Sequence, residues 1–290
     1  MNLKRKEPSS FTQQNANKKQ CIKSWCRELA QPLNSVNNTL LFQNTSIEWG
    51  MSQDKRPVIR MYGITEKGNS VLCHVHGFLP YAYVQIPANH KFEEVDLSDF
   101  KKNLIEFSKI DAEIIYKCEI VRRRSIYGYH EDEEDFIKVT LTDPRELSKL
   151  NVDDGLELFE SNMDFTLRFM IDANIEGMSW VELPVDSYYI QPHDSSQCQY
   201  EVNIQYDQII AHRPEGQFAS IAPLRIFSFD IESEGLEHKK HKVIQIANVV
   251  SVHGEKEPRA KVIFTLKGCT SIEGAFVKSY DDEKLLLMAW

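Results

Sequence analysis

The chain has 290 residues, of which 42% are apolar and 27% are charged, values typical of globular proteins. Its formal net charge of −9 argues against a surface that is basic all round, the kind that grips the phosphates of duplex DNA. No apolar run approaches the roughly 18 residues of a membrane span, which argues against a membrane protein. The N-terminus carries no secretion signal, and the six cysteines are scattered without a C-x-x-C pair. Both features argue against a secreted, disulfide-rich protein.

Residues 1–45 are predicted to form a disordered basic and polar tail. They are rich in Gln, Asn, Ser and Lys and contain few residues able to build a core. The basic clusters Lys4-Arg-Lys6 and Lys18-Lys19 are typical of nuclear import signals, although a solvated tail without a receptor has the same composition.

From residue 46 the pattern is rich in strands. Residues 58–64 and 71–76 are strand-like segments that flank a polar turn at residues 66–69, which predicts a β-hairpin. Further strands are predicted at residues 81–86, 114–121 and 136–141, and helices over residues 99–110 and 162–172. Mixed strands and helices without βαβ repetition predict an α+β domain over residues 46–217.

A basic segment, Arg122-Arg123-Arg124, is followed by Tyr127 and Tyr129 between two of these strands. Cationic and aromatic side chains together can contact phosphates and stack on bases, as in proteins that bind single strands. The alternative is a solvated basic turn whose charge is offset by the acidic run at residues 131–135.

Metal-ligating side chains lie close together at Cys73, His74 and His76. In a strand the two histidines share one face and the cysteine points to the other, so the three cannot converge without a bulge. No C-x-x-C pair or distant His-x-x-x-His completes a set, which argues against a zinc site.

The last 70 residues have a different pattern. Three strands are predicted at residues 224–232, 242–252 and 261–266, and the connections between them are too short for a crossover helix, so they are expected to form an antiparallel meander. Ser279-x-x-Asp282 resembles a capping box that opens a helix over residues 285–290. That helix has no C-cap signal, which predicts that the chain is part of a longer protein.

Asp230 and Glu232 lie in the strongly apolar segment Ile226-Phe-Ser-Phe-Asp-Ile-Glu232, which is predicted to be a buried strand. Side chains two apart in a strand share a face, with Cα atoms about 6.5–7 Å apart. Adjacent carboxylates repel each other unless a cation lies between them, and a pair of divalent ions about 3.5–4 Å apart catalyses phosphodiester cleavage. Mg²⁺ fits because it prefers oxygen ligands. With 43 acidic residues in the chain, such pairs also occur by chance, and carboxylates that simply face water are the alternative.

Residues 222–232, Ala-Pro-Leu-Arg-Ile-Phe-Ser-Phe-Asp-Ile-Glu, resemble the first exonuclease motif of the family B DNA polymerases, whose core reads F-D-I-E. Val243-Ile-Gln-Ile246 falls where the second strand of that family carries the same residues. Other stretches similar to delta-type members occur in the expected order at residues 73–81, 125–129, 167–172, 212–216, 274–280 and 283–290. The resemblance therefore runs from about residue 57 to the last residue.

The resemblance implies an α+β fold in which an N-terminal mixed α/β domain (46–217) precedes the first β-meander of a ribonuclease H-like 3′–5′ exonuclease domain (218–290). Asp230 and Glu232 would be catalytic residues and two of four carboxylates that hold two Mg²⁺ ions. The other two belong to later motifs, and the polymerase palm also lies outside this chain. The chain alone is therefore expected to have no polymerase activity and little or no nuclease activity.

For the whole protein, the resemblance implies template-directed nucleotidyl transfer with 3′–5′ proofreading in the nucleus. The expected partners are primer-template DNA, polymerase accessory subunits and a sliding clamp, with no membrane involved. Two other functions remain open. The chain could be a non-catalytic truncated product that serves as a binding or interaction module, or part of a stand-alone four-carboxylate 3′–5′ exonuclease.

Overall fold

A computed structural model describes residues 29–86, 97–125, 131–153, 155–191, 195–237 and 240–290. The described chain divides into two compact units. The first unit comprises residues 32–65 and 70–220, and the C-terminal unit includes residues 66–69 and 221–290. None of the helices in the described ranges is long and apolar enough to cross a membrane.

The first unit contains two sheets and two α-helices. Its strands are β1 (Leu40–Met51), β2 (Pro57–Thr65), β3 (Ser70–His76), β4 (Tyr81–Gln85), β5 (Ile115–Arg124), β6 (Glu133–Leu141), β7 (Glu157–Phe159), β8 (Trp180–Leu183), β9 (Tyr188–Ile190), β10 (Tyr200–Gln205) and β11 (Ile210–His212). Its helices are α1 (Leu97–Ser108) and α2 (Phe165–Asp172). The predicted strands and helices of this unit are confirmed within a few residues.

The larger sheet has seven strands in the order β11-β8-β1-β2-β3-β10-β9. All neighbours are antiparallel except β3 and β10. The antiparallel β2–β3 pair confirms the predicted hairpin. Helix α2 packs Phe165 and Phe169 into a core that includes Phe42 of β1 and Met61 of β2. Asp164 caps the start of α2 by accepting a hydrogen bond from the amide of Leu167 at 2.9 Å.

Strand β1 begins within the segment that the sequence predicted to be tail. Residues 40–45 belong to this strand, and both Leu40 and Phe42 are buried in the core. The prediction that the first domain begins at residue 46 is therefore wrong for these residues, because their apolar side chains complete the sheet. The two basic clusters of the tail, with Cys21 and Cys26, lie outside the described residues.

The parallel β3–β10 pair is tied together by a buried carboxylate. Glu201 of β10 lies within 2.8 Å of Nε2 of His74 on β3 and accepts hydrogen bonds from the amides and hydroxyls of Ser195 and Ser196. Burial raises the pKa of Glu201, but the hydrogen bonds from Ser195 and His74 outweigh it, and the net pKa is lowered.

The smaller sheet of the first unit is antiparallel, with the order β5-β6-β4-β7. Helix α1 covers one face of it, where Leu104 packs with Ala82, Val84 and Val139. Residues adjacent to these in the strands point to the other face, because side chains alternate along a strand. This second face carries Tyr83, Lys138 and Phe159, which are paired across three neighbouring strands.

The C-terminal unit contains one sheet and one helix. Its elements are β12 (Arg225–Ser233), β13 (Val243–Val252), β14 (Ala260–Leu266), β15 (Phe276–Tyr280) and α3 (Glu283–Ala289). The sheet order is β12-β13-β14-β15, and the first three strands form the predicted antiparallel meander. Strand β15 pairs parallel to β14. Helix α3 packs Leu286 against Ile246, Val262 and Phe264 on one face of this sheet.

The start of α3 differs from the predicted capping box. Asp282, not Ser279, is the N-cap, and its carboxylate accepts a hydrogen bond from the amide of Leu285 at 2.9 Å. Ser279 belongs to β15, where its hydroxyl accepts a hydrogen bond from Thr265 on the neighbouring strand. The preceding strand extends too far along the chain for Ser279 to begin the helix.

Replacing Phe42 by alanine tests whether β1 is integral to the fold. Because the side chain is fully buried, we expect Phe42→Ala to lower the free energy of unfolding by about 3–5 kcal/mol, measured by urea titration. Val36→Ala is the control, since Val36 is 60% exposed, and it should change stability very little. Equal effects of the two substitutions would contradict the assignment of β1 to the core.

Replacing Glu201 by glutamine should cost about 1–3 kcal/mol at neutral pH, because the donors around it lose a charged acceptor. A carboxylate with a lowered pKa in the folded state stabilises the protein above its unfolded pKa of about 4.3, and the stabilisation is lost as the pH falls through the folded value. The difference in unfolding free energy between wild type and Glu201→Gln should therefore shrink on acidification. A difference that is constant with pH would contradict this account.

Candidate functional site

Asp230 and Glu232 lie on one face of β12, as the alternation of the sequence predicts. In the pairing with β13, Asp230 is opposite Ala247 and Glu232 is opposite Gln245. Phe229 points to the other face, where its ring lies 5.3 Å from that of Trp290 at the end of α3. The two carboxylates therefore occupy the sheet face opposite to the one that α3 covers.

A polar row crosses this face at the level of Glu232. Glu232 is paired with Gln245, Gln245 with Thr265, and Thr265 with Ser279, across all four strands. The Thr265 hydroxyl donates to that of Ser279 at 3.0 Å. Oxygen-bearing side chains therefore continue from the carboxylates across the sheet. This row is not evident from the sequence, because its residues are far apart in the chain and only the strand register aligns them.

The pairing of β12 with β13 shifts register immediately after Glu232. Glu232 is opposite Gln245, whereas Ser233 is opposite Val243, so β13 has one extra residue, Ile244, at this point. Such bulges bend the strand and re-aim the neighbouring side chains, and they occur often beside active sites. The regular alternation of side chains along β12 therefore ends at this bulge, directly beside Glu232.

Strand β12 is exposed, which corrects the expectation of a buried strand. Its apolar residues Phe227 and Phe229 are 47% and 53% exposed, although their rings stack at 5.7 Å. The physical reason is position, since β12 is the edge of this sheet and α3 packs mainly on β14 and β15. Asp230 and Glu232 are consequently open to solvent.

The oxygens of Asp230 and Glu232 are suitable ligands for a hard cation, but two carboxylates do not complete its coordination shell. Within the described part of the chain, no group of three or more His, Cys, Asp or Glu side chains could hold a metal ion. Mg²⁺ is commonly bound through one or two carboxylates while it keeps several waters. Asp230 and Glu232 therefore offer suitable donors for part of a magnesium site.

The basic segment predicted as a possible nucleic-acid contact is part of a strand. Arg122, Arg123 and Arg124 belong to β5 and are paired with residues 135, 134 and 133 of β6. The interpretation of a basic turn is therefore wrong for these arginines, whereas the expected acidic neighbours are present. Arg122 lies 3.7 Å from the carboxylate of Asp135. Tyr127 and Tyr129 lie outside the described residues.

Arg123 and Arg124 line a cavity of about 690 Å³ in the first unit. Other residues around it include the aromatic and cationic side chains Tyr81, Tyr83, Phe136, Phe159, Tyr206, Lys138 and Arg168. The sequence does not predict these seven as site residues, because they come from separate segments of the chain that only the fold brings together.

Cys73, His74 and His76, the candidate zinc ligands, each make other contacts within the first unit. Cys73 is buried in the core, where burial raises the pKa of its thiol. His74 contacts Glu201, and Nε2 of His76 lies 2.8 Å from the side-chain oxygen of Asn203. The histidines and the cysteine thus lie on opposite faces of β3, as the strand pattern predicted.

Comparison with protein-family models gives two matches. Residues 156–290 match the model described as the exonuclease domain of DNA polymerase family B. Residues 77–148 match the model described as the N-terminal domain of DNA polymerase delta catalytic subunit-like proteins.

Among curated proteins, the DNA polymerase delta catalytic subunit of Drosophila melanogaster is 36% identical over 92% of this chain and 28% of its own length. That of Bos taurus is 33% identical over 92% of this chain and 27% of its own length. The chain thus spans little more than a quarter of the relatives that it matches.

The fold is also similar to a solved structure. The family B DNA polymerase from the hyperthermophilic archaeon Pyrobaculum calidifontis matches 79% of this chain and 27% of its own chain, with a TM-score of 0.53 at 18% identity. At this identity the likeness shows the fold, an α+β arrangement of mixed sheets with few helices.

Proposed function

Because this chain belongs to the family B DNA polymerases, and is similar over most of its length to delta catalytic subunits, we propose that its C-terminal unit contributes two carboxylates to a 3′–5′ exonuclease site. Asp230 and Glu232 are the proposed catalytic residues and metal ligands. The observation that carries the proposal is their position on one face of β12, within residues that match the exonuclease model.

The proposed role of the two residues follows from their charge and their exposure. Both carboxylates face solvent from the sheet face that α3 leaves open, so a hydrated cation and a DNA 3′ end can reach them. Within the described residues, neither carboxylate is engaged in an ion pair or a hydrogen bond that would compete for its oxygens. Their mutual repulsion favours cation binding.

Mg²⁺ is the proposed cofactor. A bound pair of divalent ions would generate the attacking hydroxide and stabilise the leaving oxygen during phosphodiester hydrolysis. The chain's own contribution is to hold two negative oxygens side by side and to keep them oriented through the rigid β12–β13 pairing. The register shift after Glu232 ends this rigid stretch beside the second ligand.

For the whole protein we propose template-directed DNA synthesis with proofreading. This part of the proposal rests on the similarity to delta catalytic subunits, which are several times longer than this chain. The proposed partners are primer-template DNA, polymerase accessory subunits and a sliding clamp, and the proposed location is the nucleus. The division into an N-terminal domain over residues 46–217, extended to residue 40, and a partial exonuclease domain over residues 218–290 belongs to the same proposal.

Calorimetric titration with Mn²⁺ tests the metal-binding role. We expect weak saturable binding to the wild-type chain, because the described residues supply only two carboxylates at the site. Asp230→Asn and Glu232→Gln should each weaken it at least about tenfold, since each removes one charged ligand. Glu257→Gln removes an exposed carboxylate from the same unit and should leave the titration unchanged. Equal weakening by all three substitutions would contradict the site.

An exonuclease assay on 3′-labelled single-stranded DNA with Mg²⁺ tests how complete the site is. We expect the chain alone to release little or no nucleotide, because two carboxylates cannot hold two metal ions in place. Robust digestion that Asp230→Ala abolishes would show that other residues of this chain complete the site. Robust digestion that persists in Asp230→Ala would contradict the role of Asp230.

A further inference from the structure

Gln245 lies on the open face of the C-terminal sheet, directly opposite Glu232. Residues opposite each other in an antiparallel pair have Cβ atoms about 4.5–5.5 Å apart. The next residue of β13, Ile246, packs in the core beneath α3, so Gln245 and Ala247 both face away from the helix. Glu232 therefore has a carboxamide as its cross-strand neighbour, whereas Asp230 is opposite the small side chain of Ala247.

The backbone holds Gln245 from both sides. Strand β13 lies between β12 and β14, and Gln245 is paired with Glu232 on one side and with Thr265 on the other. The extra residue of the bulge, Ile244, immediately precedes it in the chain. Because a bulge re-aims the side chains beside it, the directions of the Gln245 and Glu232 side chains are set at the same point of the sheet.

The carboxamide of Gln245 is available to a ligand, unlike the next polar groups of the row. Thr265 is buried, and its hydroxyl donates to that of Ser279 at 3.0 Å. Gln245 is half-buried, and within the described part of the chain its side chain makes no hydrogen bond or ion pair. Its oxygen is therefore open to a ligand at the level of Glu232.

An amide oxygen suits a cation that two carboxylates attract. Hard divalent cations prefer oxygen ligands, and the uncharged side-chain carbonyls of Asn and Gln serve them together with carboxylates and waters. Two carboxylates side by side already repel each other, and a third would add to that repulsion. A neutral oxygen adds a ligand without adding charge.

We propose that the side-chain oxygen of Gln245 is a third ligand for the cation at Asp230 and Glu232, bound directly or through one of the waters of the metal. The inference rests on the proposed exonuclease site, and it adds a residue of β13 to two residues of β12. It also gives the β12–β13 register a second consequence, because a slip of one residue would place an isoleucine opposite Glu232.

Calorimetric titration of the chain with Mn²⁺ at neutral pH tests this role. Methionine keeps the length and the unbranched shape of glutamine but lacks its oxygen, so Gln245→Met should weaken binding about tenfold. Thr265→Val is the control in the same row, because it removes a hydroxyl that is already paired with Ser279, and it should bind like the wild type. Circular dichroism and thermal melting show whether each variant folds. Gln245→Asn, which shortens the side chain by one methylene, should also weaken binding and replaces Gln245→Met if that variant does not fold.

Gln245→Glu separates an oxygen ligand from a purely structural role. Glutamate offers an oxygen at the same reach together with a negative charge, so this variant should bind Mn²⁺ at least as tightly as the wild type at neutral pH. An amide that only stabilises the strand, or only donates to Glu232, would be lost in Gln245→Glu as much as in Gln245→Met.

The outcomes for Gln245 and for the exonuclease site are distinguishable when Asp230→Asn is titrated in the same series. If Asp230→Asn weakens binding, the role of Gln245 is overturned by unchanged binding in Gln245→Met, or by equal weakening in Gln245→Met and either Gln245→Glu or Thr265→Val. Absence of Mn²⁺ binding by the wild type, or binding that Asp230→Asn does not weaken, would contradict the site itself and this inference with it.

Discussion

The hydrogen-bonded register between β12 and β13 is the constraint on which the functional interpretation depends. It holds Asp230 opposite Ala247 and Glu232 opposite Gln245, and it keeps Phe229 on the other face. Side chains in a paired strand must alternate, so a slip of one residue would move both carboxylates to the face that α3 covers. The exonuclease proposal thus rests on backbone pairing more than on any contact of the carboxylates themselves.

In both units, a helix covers only one face of a sheet. In the smaller sheet of the first unit, α1 covers one face and the other presents aromatic and cationic side chains. In the C-terminal unit, α3 packs on one face and the other presents carboxylates and a polar row. In each of these two sheets a cluster of buried apolar side chains lies on the helix side. The two open faces differ in composition, since one carries aromatic and cationic side chains beside carboxylates and the other carries carboxylates beside neutral polar side chains.

Much of the fold could be predicted from the sequence, because alternating apolar residues identify strands directly. The meander that positions Asp230 and Glu232 and the β2–β3 hairpin are confirmed. The wrong predictions share a cause, because local composition does not decide whether a segment is exposed or belongs to a regular strand. Residues 40–45 follow a polar segment but form part of β1, and the charged residues 122–124 belong to a strand because an acidic strand lies opposite.

Other features depend on tertiary placement that local pattern does not encode. The alternation of β12 shows which residues share a face but not that the strand lies at the sheet edge, so the expected burial was wrong. The row from Glu232 to Ser279 and the cavity around Lys138 both join distant segments. Only the strand order and the register bring them together. The roles of Asp230 and Glu232 themselves remain predictions.

A crystal structure of the chain soaked with Mn²⁺, with its anomalous signal, tests the central claim most directly. We expect an anomalous peak beside the carboxylates of Asp230 and Glu232, on the sheet face that also carries Gln245. A structure in which the two side chains project from opposite faces of the strand, or in which the metal binds only elsewhere, would contradict the account.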